Sequence, residues 1–192
     1  VFIEMGNEIE EKGYVTDIIT DKTLNWLKGT NNQKPFFLMC HHKAPHREWE
    51  PHPKNRSLFK DDIVIPSTFD DDYKNRARAA AEAKMRIKDD LTYDDLGLVQ
   101  PEGGSELGEK SRLFSNKRKI PNPKNVSALC LIDKDTGEKF RFNSNEELSH
   151  FKYQRYIKRY LRTIQSIDES VGRLLDFLEE NDMSENTLVI YT

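Results

Sequence analysis

The chain has little of what would mark several common protein classes. It has two cysteines, Cys40 and Cys130, among 192 residues. Two thiols cannot build a disulfide framework, and one bridge or two free thiols are both open, so cysteine usage does not set the compartment. No apolar run approaches the ~18 residues of a membrane span. Neither sign of charge dominates, because 30 Lys and Arg stand against 33 Asp and Glu, a net of −3. A dedicated nucleic-acid binder is usually clearly basic, so that class is disfavoured. No basic segment followed by an apolar one opens the chain as a leader would. No internal repeat or low-complexity tract is visible. What remains is material for a core: 36% of residues are apolar. A compact chain of this length buries about 70% of its unfolded surface without staples.

The two ends are unusual. Val1-Phe2-Ile3-Glu4-Met5 starts apolar with no initiator Met, and Thr187-Leu188-Val189-Ile190-Tyr191-Thr192 reads as a buried strand. Termini usually lie at the surface. The expectation is therefore a central piece of a longer domain, with a terminal edge strand as the alternative.

Between the ends the pattern alternates. Residues 15–29 read as a helix, with Thr16 as N-cap and Gly29 at its end. Pro35-Phe36-Phe37-Leu38-Met39-Cys40 is a short continuous apolar run and predicts a central strand. The aspartates 70–72 and the alanine-rich stretch 77–83 predict a second helix over 69–90. Residues 110–125 are irregular and basic, with Lys110, Arg112, Lys117, Arg118, Lys119 and Lys124. They suit either a solvated loop or an anionic polymer. Two β-like runs around Asp133-Lys134-Asp135-Thr136-Gly137 predict a hairpin within an insertion at about 100–145. Ser144 and Glu147 have capping-box spacing, and a helical apolar stripe follows from Tyr153 to Leu178. Strand, helices and strand again give an α/β class with a largely parallel sheet, in one domain over 1–192.

The strongest chemical signal lies just after the predicted strand. His41, His42, His46 and His52 fall within a dozen residues. Imidazole titrates near neutrality and can hand a proton to a leaving group or hold an anion. In α/β sheets ligands bind at the carboxyl ends of strands. His41 and His42 are adjacent, so they should face opposite ways. Pro45 excludes a helix before His46, and Lys43 adds a cation for an anionic group. The alternatives are a surface loop or a zinc site, although the spacing matches no familiar zinc pattern. Cys40 is either a nucleophile beside His41 or a small buried strand residue. The acids Asp89, Asp90, Asp94 and Asp95 lack calcium-loop spacing and read as a solvated helix end. Asn55-Arg56-Ser57 and Asn125-Val126-Ser127 are glycosylation sequons.

The run from Lys34 to Trp49, which contains His41-His42-Lys43-Ala44-Pro45-His46, resembles the type I sulfatases of the alkaline phosphatase superfamily. Tyr14-Val15-Thr16-Asp17, Phe69-Asp70-Asp71-Asp72-Tyr73 and the stretch from Ser170 to Thr192 resemble further parts of that family. They are closest to its bacterial mucin-desulfating and N-acetylglucosamine-6-sulfatase-like branch. The resemblance implies the central part of an alkaline-phosphatase-like, mainly parallel sheet with flanking helices and a small inserted hairpin. It implies an enzyme that hydrolyses sulfate monoesters on carbohydrates such as sulfated amino sugars or glycosaminoglycans. It implies a formylglycine nucleophile and a calcium ion, both held outside this chain, which has no Cys/Ser-x-Pro/Ala-x-Arg motif and no metal ligand of its own. The 192 residues alone would then be inactive. His46 matches the family histidine that protonates or stabilises the leaving group, while Lys43 and His42 are secondary candidates for sulfate or sugar contacts. A periplasmic or secreted location is implied as well. A phosphatase or phosphonate hydrolase of the same superfamily and a non-catalytic glycan-binding homologue are the alternatives. Nothing in the sequence sets an oligomeric state.

Overall fold

The computed structural model describes residues 1–30, 34–101 and 118–192. Two short antiparallel strands open it, β1 (Phe2–Glu4) and β2 (Asn7–Ile9), paired with Phe2 opposite Ile9. Met5 and Gly6 turn between them with φ of +50° and +83°. Paired positive values match the right-handed twist of a two-residue hairpin. Helix α1 (Val15–Lys28) follows, then a long stretch of loops carrying the short helix α2 (Arg78–Glu82). A second hairpin, β3 (Leu131–Ile132) with β4 (Lys139–Phe140), leads into helix α3 (Asn145–Glu180).

Helix α3 is the spine. Its 36 residues span about 54 Å at 1.5 Å per residue. Its start is fixed as the spacing predicts: Ser144 Oγ accepts from the Glu147 backbone N–H at 3.1 Å. The Glu147 carboxylate reaches back one residue further than in a standard box and accepts from the Asn143 N–H at 2.7 Å. Helix α1 packs along α3. The principal core lies elsewhere, where loops meet the first turns of α3. It gathers Trp49, Leu91, Tyr93, Leu96, Leu98, Ile120, Val126, Leu131, Phe142 and Leu148. Most of these come from segments without regular structure.

Several expectations are corrected. The N-cap of α1 is Tyr14, while Thr16 is buried inside the helix. Gly29 ends the helix with φ −83°, so the left-handed conformation is not used. The predicted helix over 69–90 shrinks to the five residues of α2, with no buried side chain. Asp71 and Asp72 accept from the backbone N–H of Tyr73 and Lys74, each at 2.8 Å. Such local bonds offer the backbone an alternative to a helix. The alanines supply propensity but no apolar stripe, and short helices without one are marginal.

Residues 35–40 have no ladder partner among the described residues, and the same holds for 187–192. The first run still alternates as a strand does. Phe36, Leu38, Cys40 and His42 are half-buried, while Phe37, Met39 and His41 are exposed. The mainly parallel sheet is therefore not formed among the described residues, whose sheets are the two hairpins. Leu188 to Tyr191, expected to be buried, are exposed. Both cysteines are free thiols. Asn55 is buried and its amide donates to Ser166 Oγ at 3.1 Å, so the first sequon is closed to a glycan. No helix of the described residues is long and apolar enough to cross a membrane.

Candidate functional site

The histidine loop starts where the extended run ends. His41 and His42 do face opposite ways, His41 outward and His42 towards α1. His42 Nε2 lies 3.0 Å from Thr20 Oγ1. The Thr20 hydroxyl already donates to the Thr16 carbonyl at 2.8 Å, so His42 must donate through Nε2–H. Burial lowers the His42 pKa below 6.5, which favours the neutral ring. Cys40 shares this inner face, with Sγ 3.3 Å from Thr23 Oγ1. Cys40 is thus half-buried against α1, and no strand forms around it among the described residues.

The chain then turns. The His46 N–H donates to the Lys43 carbonyl at 3.0 Å, so one turn carries both residues, and both are exposed. His46 Nδ1 faces the Arg47 carbonyl oxygen. A carbonyl only accepts, so Nδ1 carries the proton and Nε2 is the nitrogen that can engage a ligand. The next residues anchor the turn. Arg47 forms a two-point ion pair with Asp95: Nε donates to Oδ1 at 2.9 Å and Nη2 to Oδ2. Asp95 is fully buried and also accepts from the backbone N–H and hydroxyl of Thr92, each at 2.8 Å. Trp49 is buried edge-on against Tyr156, 4.7 Å between ring centres, and its indole N–H donates to the Pro45 carbonyl at 2.8 Å.

Glu50 closes the base of the loop. Arg159 of α3 donates to its carboxylate at 2.9 Å, Lys134 of the hairpin turn donates to the same oxygen, and Arg56 lies 3.4 Å from the other. Burial alone would raise the Glu50 carboxyl pKa, but the Lys134 hydrogen bond and the Arg159 charge outweigh it and hold it below the usual value. Arg159 lies against Gly97, where a Cβ would stand 2.3 Å from its Nη1. A Cβ here would push the guanidinium aside, and Gly97 has φ +60° as well, which glycine adopts freely. His52 is committed to α1: Nε2 lies 3.2 Å from Asp17, and Nδ1 accepts from the Lys54 N–H at 3.1 Å.

The loop thus brings Lys43 and His46 together on the outside and turns His42 and His52 inward. Sequence reasoning missed Arg47, Asp95 and Arg159. Asp95 was expected in a solvated acidic patch. The one available signal was the Thr92-x-x-Asp95 spacing, which has the form of a capping box. Of the basic segment, residues up to Lys117 lie outside the described residues, and Lys119 pairs with Asp90.

Among the described residues no three His, Cys, Asp or Glu side chains converge as a metal site. The carboxylates nearest the loop are already engaged, Asp95 by Arg47 and Thr92, and Glu50 by Arg159 and Lys134. These residues do not fit a calcium ion.

Comparison with known proteins gives this histidine turn, held between α1, α3 and the principal core, a family. The chain belongs to the sulfatase family, whose model matches residues 3–192. It is 38% identical over 198 residues to an N-acetylglucosamine-6-O-sulfatase of Bacteroides thetaiotaomicron, covering all of this chain and 35% of that protein. It is also similar to the solved structure of BT4656 in complex with its substrate D-glucosamine-2-N,6-O-disulfate. There the TM-score is 0.70 at 34% identity, over 95% of this chain and 37% of that one. The chain therefore spans about a third of the length of these relatives. The structural likeness supports the α/β class.

Proposed function

We propose that the protein carrying this chain is a sulfatase that hydrolyses a sulfate monoester on a carbohydrate, an amino-sugar 6-sulfate first among them. His46 is the acid that serves the leaving oxygen. The two relatives support the substrate class, since one is named for N-acetylglucosamine 6-O-sulfate and the other binds a 6-O-sulfated glucosamine. The sulfatase match favours sulfate over phosphate chemistry. The observation that carries the role of His46 is its exposed ring, with Nδ1 committed to the Arg47 carbonyl.

In its protonated form His46 presents Nε2–H to the bridging oxygen. As the S–O bond breaks, that proton moves to the sugar oxygen, which would otherwise leave as a poor alkoxide. General acid help of this kind is typically worth ~10²–10⁴ in rate. Lys43, on the same turn, attracts the sulfate oxygens as a flexible point charge. His42 is the weaker contact, because its Nε2–H is given to Thr20, and its effect on substrate is through the set of the loop. Calcium and formylglycine belong to residues outside these 192, and we place the protein in the periplasm or outside the cell.

The test is sulfate release from N-acetylglucosamine-6-sulfate by the full-length protein. Turnover is expected, and His46→Ala should lose ~10²–10⁴ of kcat while keeping the wild-type unfolding transition. Binding of the sulfated sugar without any sulfate release would support a non-catalytic homologue instead.

A further inference from the structure

We propose that Asp95 is a positioning residue for His46, acting through Arg47. This rests on the reading of His46 as the leaving-group acid. His46 stands on an exposed turn, and its ring is oriented by one backbone carbonyl, that of Arg47. The set of that carbonyl therefore decides where Nε2 points. Two anchors hold it. Trp49 fixes the chain two residues on. The Arg47 side chain fixes it from the other side, through the fork of Nε and Nη2 on Asp95.

Asp95 is suited to this work. A two-point guanidinium–carboxylate pair fixes direction as well as distance. Its second oxygen is held by the Thr92 N–H and hydroxyl, each at 2.8 Å. The Asp95 N–H in turn donates to Thr92 Oγ1 at 3.2 Å. Leu91, Leu96 and Leu98 bury the same segment in the principal core. A carboxylate so enclosed is costly unless paired, and Arg47 is its charge partner. The turn is thus tied to the principal core. Misplacement of a reacting group by about 1 Å can cost on the order of 10² in rate.

The experiment compares two substrates on the full-length protein. N-acetylglucosamine-6-sulfate needs a proton on its leaving alkoxide, whereas 4-nitrophenyl sulfate leaves as a stable phenolate. Asp95→Asn is expected to lower kcat on the sugar sulfate about 10–100-fold, with KM and the aryl sulfate rate each changed by less than about threefold. His46→Ala should give the same split with a larger loss. Adding Asp95→Asn to His46→Ala should then cost less than about threefold more, because residues acting as one unit are not additive. If Asp95→Asn does not fold, Arg47→Lys carries the test, since it keeps the charge and removes the fork. Equal losses on both substrates, or a fully additive double variant, would overturn the positioning role. Should His46→Ala show the split and neither Asp95→Asn nor Arg47→Lys do so, this inference alone fails. Should His46→Ala itself show no split, the acid reading fails first and takes this one with it.

Discussion

The histidine loop and the alanine-rich stretch make opposite use of their sequences. Residues 41–53 have almost no regular structure, and three prolines, Pro45, Pro51 and Pro53, interrupt them. Yet Trp49 is 3% exposed, and Arg47, Glu50 and His52 each hold a partner distant in sequence. Residues 77–83 have high helix propensity, yet yield five helical residues that bury nothing. Order follows from tertiary partners rather than from local preference. A loop with an aromatic anchor and charged side chains that reach buried partners is better fixed than a helix without a face.

The largest way to break this contrast is to remove the anchor. Trp49→Ala is expected to cost about 3–5 kcal/mol, as truncation of a buried aromatic usually does, measured by urea unfolding. A loss below about 1 kcal/mol would mean that the loop is held by its ion pairs alone. The charged contacts answer to pH. Burial works to raise the Asp133 carboxyl, but the Arg155 hydrogen bond and two backbone N–H groups overcome it and set its pKa to about 2, against 3.8 unperturbed. Glu50 is shifted the same way. A depressed folded-state pKa stabilises above the unfolded value, and that contribution is lost as pH falls through the folded one. Stability should therefore decline between about pH 4.5 and 2, by about 1–2 kcal/mol for the Asp133 pair after allowance for solvent screening. Asp133→Asn should flatten that part of the profile, and an unchanged slope would refute the assignment. The smallest effect is expected in the alanine stretch, where Ala80→Gly should change stability by less than about 0.5 kcal/mol, although glycine within a supported helix costs about 1. A full loss would show that α2 is braced after all.

The legible parts of the fold are those in which one segment settles its own state. Helices α1 and α3 could be read from their apolar spacing, the capping box from Ser144 and Glu147, and the hairpin from two β-like runs around Gly137. The opposite faces of His41 and His42 followed from strand alternation. What stayed hidden depends on partners far away in the chain. Asp95 looks like any acid in a run of acids until Arg47, 48 residues earlier, closes on it. Arg159 sits among the polar positions of α3, and its guanidinium rests where a Cβ at position 97 would otherwise stand. The apolar runs at 35–40 and 187–192 suit strands in composition, but a ladder needs a second backbone, and none of the described residues supplies it.

The proposed proton transfer from His46 to the leaving oxygen has a signature in leaving-group dependence. It is tested most directly by following kcat/KM of the full-length protein and of His46→Ala across sulfate esters of increasing leaving-group pKa, from nitrophenols to alcohols. A shallow dependence is expected for the wild type and a steep one for the variant, so that the two lines meet near the best leaving groups and part by ~10²–10⁴ at the sugar. Parallel lines would contradict it.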